Sequence, residues 1–157
     1  MQNLQEKARR LSGVSSEEAF ALDKLEPSLY ERLKHDTFVK LSTEFYNRVY
    51  SDTGSPWFLE IFARHDKQMA IQNQYEFFIQ RMGGPPLYSQ RKGHPALIGR
   101  HIQFNIVEEA AARWIEHMEA AMDATPEIDA ECKKVMLDFL KHTAYFIHIG
   151  VMRANNT

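Results

Sequence analysis

Four residues near the middle of the chain, Gly83-Gly84-Pro85-Pro86, constrain how everything else can be arranged. A helix interior loses about 1 kcal/mol at glycine and about 3 at proline, and proline biases the residue before it away from helix. No helix runs through this point. The segment that follows, from Leu87 to His101, is basic and irregular, with Pro95 opening a very short helix that ends in Arg100-His101. A loop this long in a small domain is functional or disordered. This one carries Leu87, Tyr88, Pro95, Leu97 and Ile98, which can all pack, so an ordered, non-helical strap is expected, one that fixes where His101 points.

Around the strap the chain is written in helical periods. Residues 3–11 form a short amphipathic helix stopped at Gly13, and Ser15 with Glu18 makes a capping box that starts a second over 16–22. Pro27 opens a third. Residues 36–51 place Phe38, Leu41, Phe45 and Val49 on one stripe. Asp52 to Pro56 is a turn, and WFLEIF at 57–62 is too apolar to be solvated and too short for a full helix. Strong helices cover 66–82 and 106–123. Thr125-Pro126 reads as an N-cap with a first-turn proline, opening a last helix over 127–152. Cys132, Val135, Met136, Phe139, Leu140, Thr143, Phe146 and Ile147 form its apolar stripe. No period-two pattern holds anywhere. The expectation is an all-α domain over residues 26–157, with residues 1–25 as an N-terminal helical extension whose amphipathic pattern permits packing on the core or pairing of two copies in a homodimer.

Bulk properties narrow the function. The chain has 157 residues, 44% of them apolar, enough for one ordinary core. Its formal net charge of −2 demands neither nucleic acid nor anionic membrane. No apolar run reaches the roughly 18 residues of a spanning helix. The first residues, MQNLQEKARRLSG, lack the apolar core of a secretory signal. The single cysteine, Cys132, suits a reducing compartment, and a cytoplasmic location is expected. Cys132 is expected to be a buried structural thiol.

Two polar residues stand out. His101 ends the strap between apolar Ile98 and Ile102; a structural role is the bland alternative to a ligand role. Gln74 shares one face of the 66–82 helix with Ala70, Phe77 and Phe78. An amide in an apolar stripe costs about 1–3 kcal/mol if unsatisfied. Its partner is a bound ligand, a donor such as Tyr46 or Trp114, or simply backbone, in which case no cofactor is needed. The other histidines show no metal spacing: HExxH and Cys/His finger patterns are absent. His117 and His142 are expected on solvated faces.

From about residue 30 onward the chain resembles the truncated, two-over-two haemoglobins of group II, and most closely their plant class. The resemblance rests on FY at 45–46, NQYEFF at 73–78, GGPPLY at 83–88, GHPALIGRH at 93–101 and Trp114, thirteen positions after His101. It implies a two-over-two globin-like sandwich around a haem. His101 would be the iron ligand. Tyr46, Gln74 and Trp114 would be the distal polar residues that face a diatomic ligand. Ala70 takes the place of the distal histidine of classical globins. Phe62 would pack on the haem edge, Phe77 and Phe78 would wall the pocket, and Arg100, helped by Tyr88, would reach a propionate. The absence of CxxCH implies non-covalent haem b. A five-coordinate or water-bound iron that binds O2, NO or CO reversibly is the function implied. The alternative is a haem enzyme of NO dioxygenase or peroxidase type, which needs an external reductase because no GxGxxG is present. The sequence departs from the family at three places. Leu33-Lys34-His35 replaces a glycine pair, so that junction is expected to be more helical and less bent. Gln103 replaces a proline, and Ile98 an arginine, leaving Arg100 alone on the propionate.

Overall fold

The computed structural model of the chain describes residues 3–156, and every regular element among them is a helix. The fold begins with α1, Leu4–Ser12, whose cap Asn3 accepts the Glu6 N–H and which ends on Gly13 at φ 75°. The capping box of Ser15 and Glu18 opens α2, Ser16–Ala19, as its pattern predicts. It does not run on to residue 22: a separate 3-10 turn, Ala21–Lys24, follows. Ala8, Val14, Ala19 and Leu22 are buried, and both helices lie against the last helix of the chain.

The long helix α3, Leu29–Tyr50, starts one residue after Ser28, which accepts the Glu31 N–H; Pro27 stands outside it. Lys34 interrupts it at φ 70°, ψ 166°. The junction is therefore sharply bent, contrary to the expectation that losing the glycine pair would straighten it. Buried Leu33 and Phe38 flank the turn, and a lysine is held where L-residues are strained by about 1–3 kcal/mol. Lys34→Gly is expected to raise stability by about 1 kcal/mol, relief of strain outweighing the greater freedom of the unfolded chain. Urea unfolding checks this, and an unchanged or lowered midpoint would contradict it.

The stretch at 57–62 is helical after all, inside α4, Pro56–Ala63, with the proline in the first turn where its missing N–H costs nothing. Asp66 caps α5, Lys67–Arg81. The glycine pair then meets the start of α3. A Cβ on Gly83 would lie 2.5 Å from the Ser28 Cβ, and one on Gly84 2.6 Å from Ile79 and 2.8 Å from Tyr30. Only glycines let α5 end here. The strap is not wholly irregular: it contains α6, Leu87–Lys92, and α7, Leu97–His101. Helix α8 spans Glu108–Asp123. Thr125 is not a cap; its hydroxyl donates to the Ala121 carbonyl, and α9, Ala130–Asn155, is capped by Asp129.

Two helix pairs, α3 with α5 and α8 with α9, face each other, with α3 also crossing α8. The predicted stripe of Phe38, Leu41, Phe45 and Val49 is fully buried between them, beside Met118 and Met136. Cys132 is buried as expected, and burial pushes its thiol up to about 11, so it stays protonated. His142 corrects the expectation of a solvated face: it is 2% exposed, beneath Phe20 of the extension. No helix among the described residues is long and apolar enough to cross a membrane.

Candidate functional site

The strap is clamped to α5 by side chains spaced one helical turn apart. Gln80 Nε2 donates to Ser89 Oγ at 2.7 Å, and the Ser89 N–H donates back to Gln80 Oε1 at 2.8 Å. Arg91 donates to Glu76 Oε1 at 2.7 Å and to Asn73 Oδ1 at 2.6 Å. Gly93 then turns the chain at φ 81°, and Ala96 sits at φ 42°. Arg100 closes the turn: its Nη2 donates to the carbonyls of Lys92 at 2.6 Å and His94 at 2.9 Å, and its guanidinium lies 5.4 Å from the centre of the Tyr88 ring. Thus α7 is a short, tied-down mount.

His101 stands at the end of this mount. Its Nδ1–H donates to the Leu97 carbonyl at 2.6 Å, one turn back along α7. The bond fixes the tautomer and leaves Nε2 as the basic nitrogen. Burial pulls the ring's proton affinity below the ordinary histidine value, more than the Leu97 bond raises it. A neutral imidazole with one N–H held by a backbone carbonyl is the form in which histidine ligates metals.

His101 lines a cavity of about 710 Å³, and the nine other residues that the resemblance assigns to the pocket line it too. Such a volume is ordinary for a bound small molecule or cofactor. Tyr46 enters from α3, and Trp114 from α8. Phe45, fully buried, stands edge-on to Tyr46 at 4.9 Å and against Trp114 at 5.0 Å, so one ring sets the position of both. Burial raises the Tyr46 hydroxyl well above the ordinary tyrosine value, so it remains a donor. Phe62 from α4 packs on Tyr46 at 6.2 Å. Ala70, Gln74, Phe77 and Phe78 line the α5 wall, while Tyr88 and Arg100 stand at the strap.

Gln74 corrects the bland alternative. Its Oε1 is buried and has no hydrogen-bond partner among the described residues, so neither Tyr46, Trp114 nor the backbone satisfies that oxygen. A glutamine whose amide oxygen the fold leaves unpaired and a preset imidazole, both among the residues that line one largely apolar cavity, fit a metal-centred, largely apolar group with small polar ligands. Among the described residues, no cluster of His, Cys, Asp or Glu could hold a bare metal ion.

Several lining residues carried no sequence signal. Tyr50 donates its hydroxyl to the Phe62 carbonyl at 2.9 Å and the His65 carbonyl at 3.0 Å, tying the end of α3 to the corner between α4 and α5. His65 lines the cavity, and so does Lys92, so the cationic rim does not rest on Arg100 alone. His117, expected in solvent, is instead one of three members of a cluster centred on a buried carboxylate. Its Nε2 donates to Asp52 Oδ2 at 2.7 Å, and Arg113 donates to both Asp52 oxygens at 2.8 and 3.0 Å. The Asp52 carboxylate is 3% exposed, and Arg113 before His117 holds its pKa down to about 2. The cluster pins the turn after α3 to α8 one residue from Trp114, and the His117 ring packs on Phe58 at 5.5 Å.

Comparison with known proteins agrees with this geometry. The family model for the bacterial-like globins matches residues 28–146. The chain is 56% identical to group 2 truncated hemoglobin 3-1 of Lotus japonicus over 155 residues, covering 99% of this chain and 90% of that protein. It is 57% identical to two-on-two hemoglobin-3 of Arabidopsis thaliana over 150 residues, 96% of this chain and 84% of that one. The crystal structure of a truncated oxygen-avid haemoglobin from Bacillus subtilis superposes with a TM-score of 0.68 at 33% identity, covering 74% of this chain and 95% of that one. The chain belongs to the bacterial-like globins, in their group 2 truncated, two-on-two class.

Proposed function

We propose that this protein holds one non-covalent haem b through His101 and uses it to bind O2 and other diatomic gases reversibly, with Tyr46, Gln74 and Trp114 as the polar groups that meet the gas. Haem-based ligand binding in general follows from the family. The observation that carries the residue assignment is the bond from His101 Nδ1–H to the Leu97 carbonyl, on a neutral ring that lines the cavity. Haem, when bound, supplies a redox-active iron able to take O2, NO or CO.

The protein's own part is orientation, exclusion of water and hydrogen bonding. Tyr46 and Trp114 are donors held by Phe45 in an apolar site, where a fixed dipole acts on developing negative charge without reorganisation. Gln74 does not accept from Tyr46, so the tyrosine's donor is free for the ligand. Its own amide offers a second polar contact from the α5 wall. Ala70 puts only a methyl group on that wall and leaves room for the gas. Lys92 and Arg100 on the rim suit the two carboxylates of haem. In this reading residues 26–157 are the globin domain and 1–25 an appended wall. A solved relative described as oxygen-avid supports O2 as the first ligand to test.

Tyr46→Phe is expected to speed O2 release about tenfold, the worth of one net hydrogen bond in a dry site, while CO release changes little. Stopped-flow ligand displacement measures both. Equal changes for O2 and CO would indicate a purely steric role, and an unchanged O2 rate would remove Tyr46 from the assignment.

A further inference from the structure

The stretch that carries His101 is clamped to α5, and it also straddles the last turns of α9. By helical spacing Leu140, Thr143, Ala144 and Ile147 form the stripe of α9 that lines the cavity, and Gly150 and His148 stand on opposite flanks of that stripe. On one flank, ahead of His101, Ile98 of α7 seats on Gly150. On the other, after His101, the His148 ring donates from Nδ1 to the Ile106 carbonyl at 2.6 Å. Asn155, two turns further along the same flank, reaches the Ile102 carbonyl with Nδ2 at 3.4 Å. His101 falls between the two holds.

The seat on Gly150 has no room to spare. A Cβ there would lie 2.4 Å from Ile98 Cδ1, 2.6 Å from Cγ1 and 3.1 Å from Cγ2. Turning the end of the isoleucine would move Cδ1 only. Cγ1 and Cγ2 both branch from its Cβ, and a β-branched residue in a helix has one strongly preferred rotamer. Extra bulk on α9 at this point therefore displaces α7 itself. That helix is one stiff turn: Arg100 ties it to the Lys92 and His94 carbonyls, and His101 bonds the Leu97 carbonyl. A push at Ile98 is carried one turn on, to His101. Gly150 lies inside a helix, where glycine is destabilising relative to alanine, and its backbone is not left-handed. What the fold gains from it is the close approach of Ile98.

We propose that Gly150 and Ile98 are positioning residues for the iron ligand. The bare turn of α9 sets how near α7 approaches, and with it where His101 presents Nε2 in the cavity. Neither residue is among those that line the cavity, so both act through the placement of His101. The inference rests on the reading of His101 as the haem ligand.

The test is resonance Raman spectroscopy of the haem-loaded, ferrous, ligand-free protein, which reads the stretch of the bond between the iron and the histidine nitrogen. Haem loading is read separately from the absorption spectrum. A wild type that takes up no haem would overturn the reading of His101, and this inference with it. Gly150→Ala is expected to move the band off its wild-type frequency, although alanine favours the helix. Adding Ile98→Ala, which deletes all three atoms that the new Cβ meets, is expected to bring the band back. Leu137→Ala, buried on the same helix and outside the cavity lining, is the control, expected to lower the urea midpoint with the band in place. A loaded Gly150→Ala whose band stands unmoved, a shift that survives in the double variant, or an equal shift in Leu137→Ala would each overturn the proposal with the haem assignment intact. Should Gly150→Ala fail to fold or to load, Ile98→Ala alone decides. It leaves the seat empty and is expected to shift or broaden the band, and an unaltered band there would overturn the proposal.

Discussion

Replacing His101 with glycine is expected to abolish stable haem binding while leaving the helical fold in place, and added imidazole is expected to restore it. The mount is fixed by contacts that do not involve the imidazole: Arg100 to the carbonyls of Lys92 and His94, and Gln80 to Ser89. Removing the ring therefore empties a socket without unfolding its frame. Free imidazole can enter the cavity left behind and present the same nitrogen. The expected result is a near-complete loss of the haem absorption band after desalting, unchanged far-ultraviolet circular dichroism, and recovery of the band with imidazole present. Full retention of haem with an unaltered spectrum would point to another ligand, and His65, which lines the same cavity, would be the first to examine.

Asp52→Asn is the second large effect, and it falls on stability. Three donors converge on a carboxylate that is 3% exposed. An asparagine turns an N–H2 toward Arg113 or His117 and leaves a donor facing a donor. Breaking one partner of a buried ion pair costs about 3–5 kcal/mol, but Arg113 is a third exposed, so about 2–3 kcal/mol is expected. The loss has a definite pH signature. The Asp52 pKa is depressed to about 2, chiefly by Arg113. A depressed carboxylate contributes its stability above the ordinary carboxylate range and loses it as pH falls through the folded-state value. The gap between wild type and variant should therefore be full at pH 7 and close between about pH 4 and pH 2. Urea midpoints across that range measure it. A gap independent of pH would mean the effect is one of packing. Because Arg113 adjoins Trp114, the variant should also loosen the Trp114 wall.

What could be seen in the sequence was what depends on near neighbours. The stripe of Phe38, Leu41, Phe45 and Val49 is a local period, and it is the centre of the core. The Ser15–Glu18 capping box and the stop at Gly83-Gly84 are equally local, and each marks a real helix end. The ten residues that the resemblance assigns to the pocket line one cavity, and it was the long spacing of GGPPLY, GHP and His101 that carried the resemblance to partners on other helices. What was missed depends on contacts distant along the chain. Asp52 meets Arg113 and His117 across more than sixty residues, and no period predicts that. His142 lies outside the main stripe of α9 and would face water, had α1 and α2 not covered it. The kink at Lys34 runs against the preference of the residue itself. Helix α6 was hidden because the surrounding glycines and prolines dominate the local signal, whereas its ladder to α5 through Gln80, Glu76 and Asn73 is tertiary. The orphaned Gln74 oxygen is the informative case. Its oddity was visible as a polar residue in an apolar stripe, but only the fold shows that no neighbour answers it.

The most direct measurement is a titration of the purified protein with haemin, followed by absorption spectra of the ferric, ferrous and ferrous-CO forms. One haem per chain is predicted, with spectra of a single-histidine-ligated iron that converts fully on CO addition. No saturable uptake would contradict the assignment of the cavity. Full uptake with a bis-histidyl ferrous spectrum would contradict the open gas-binding side that Ala70 leaves.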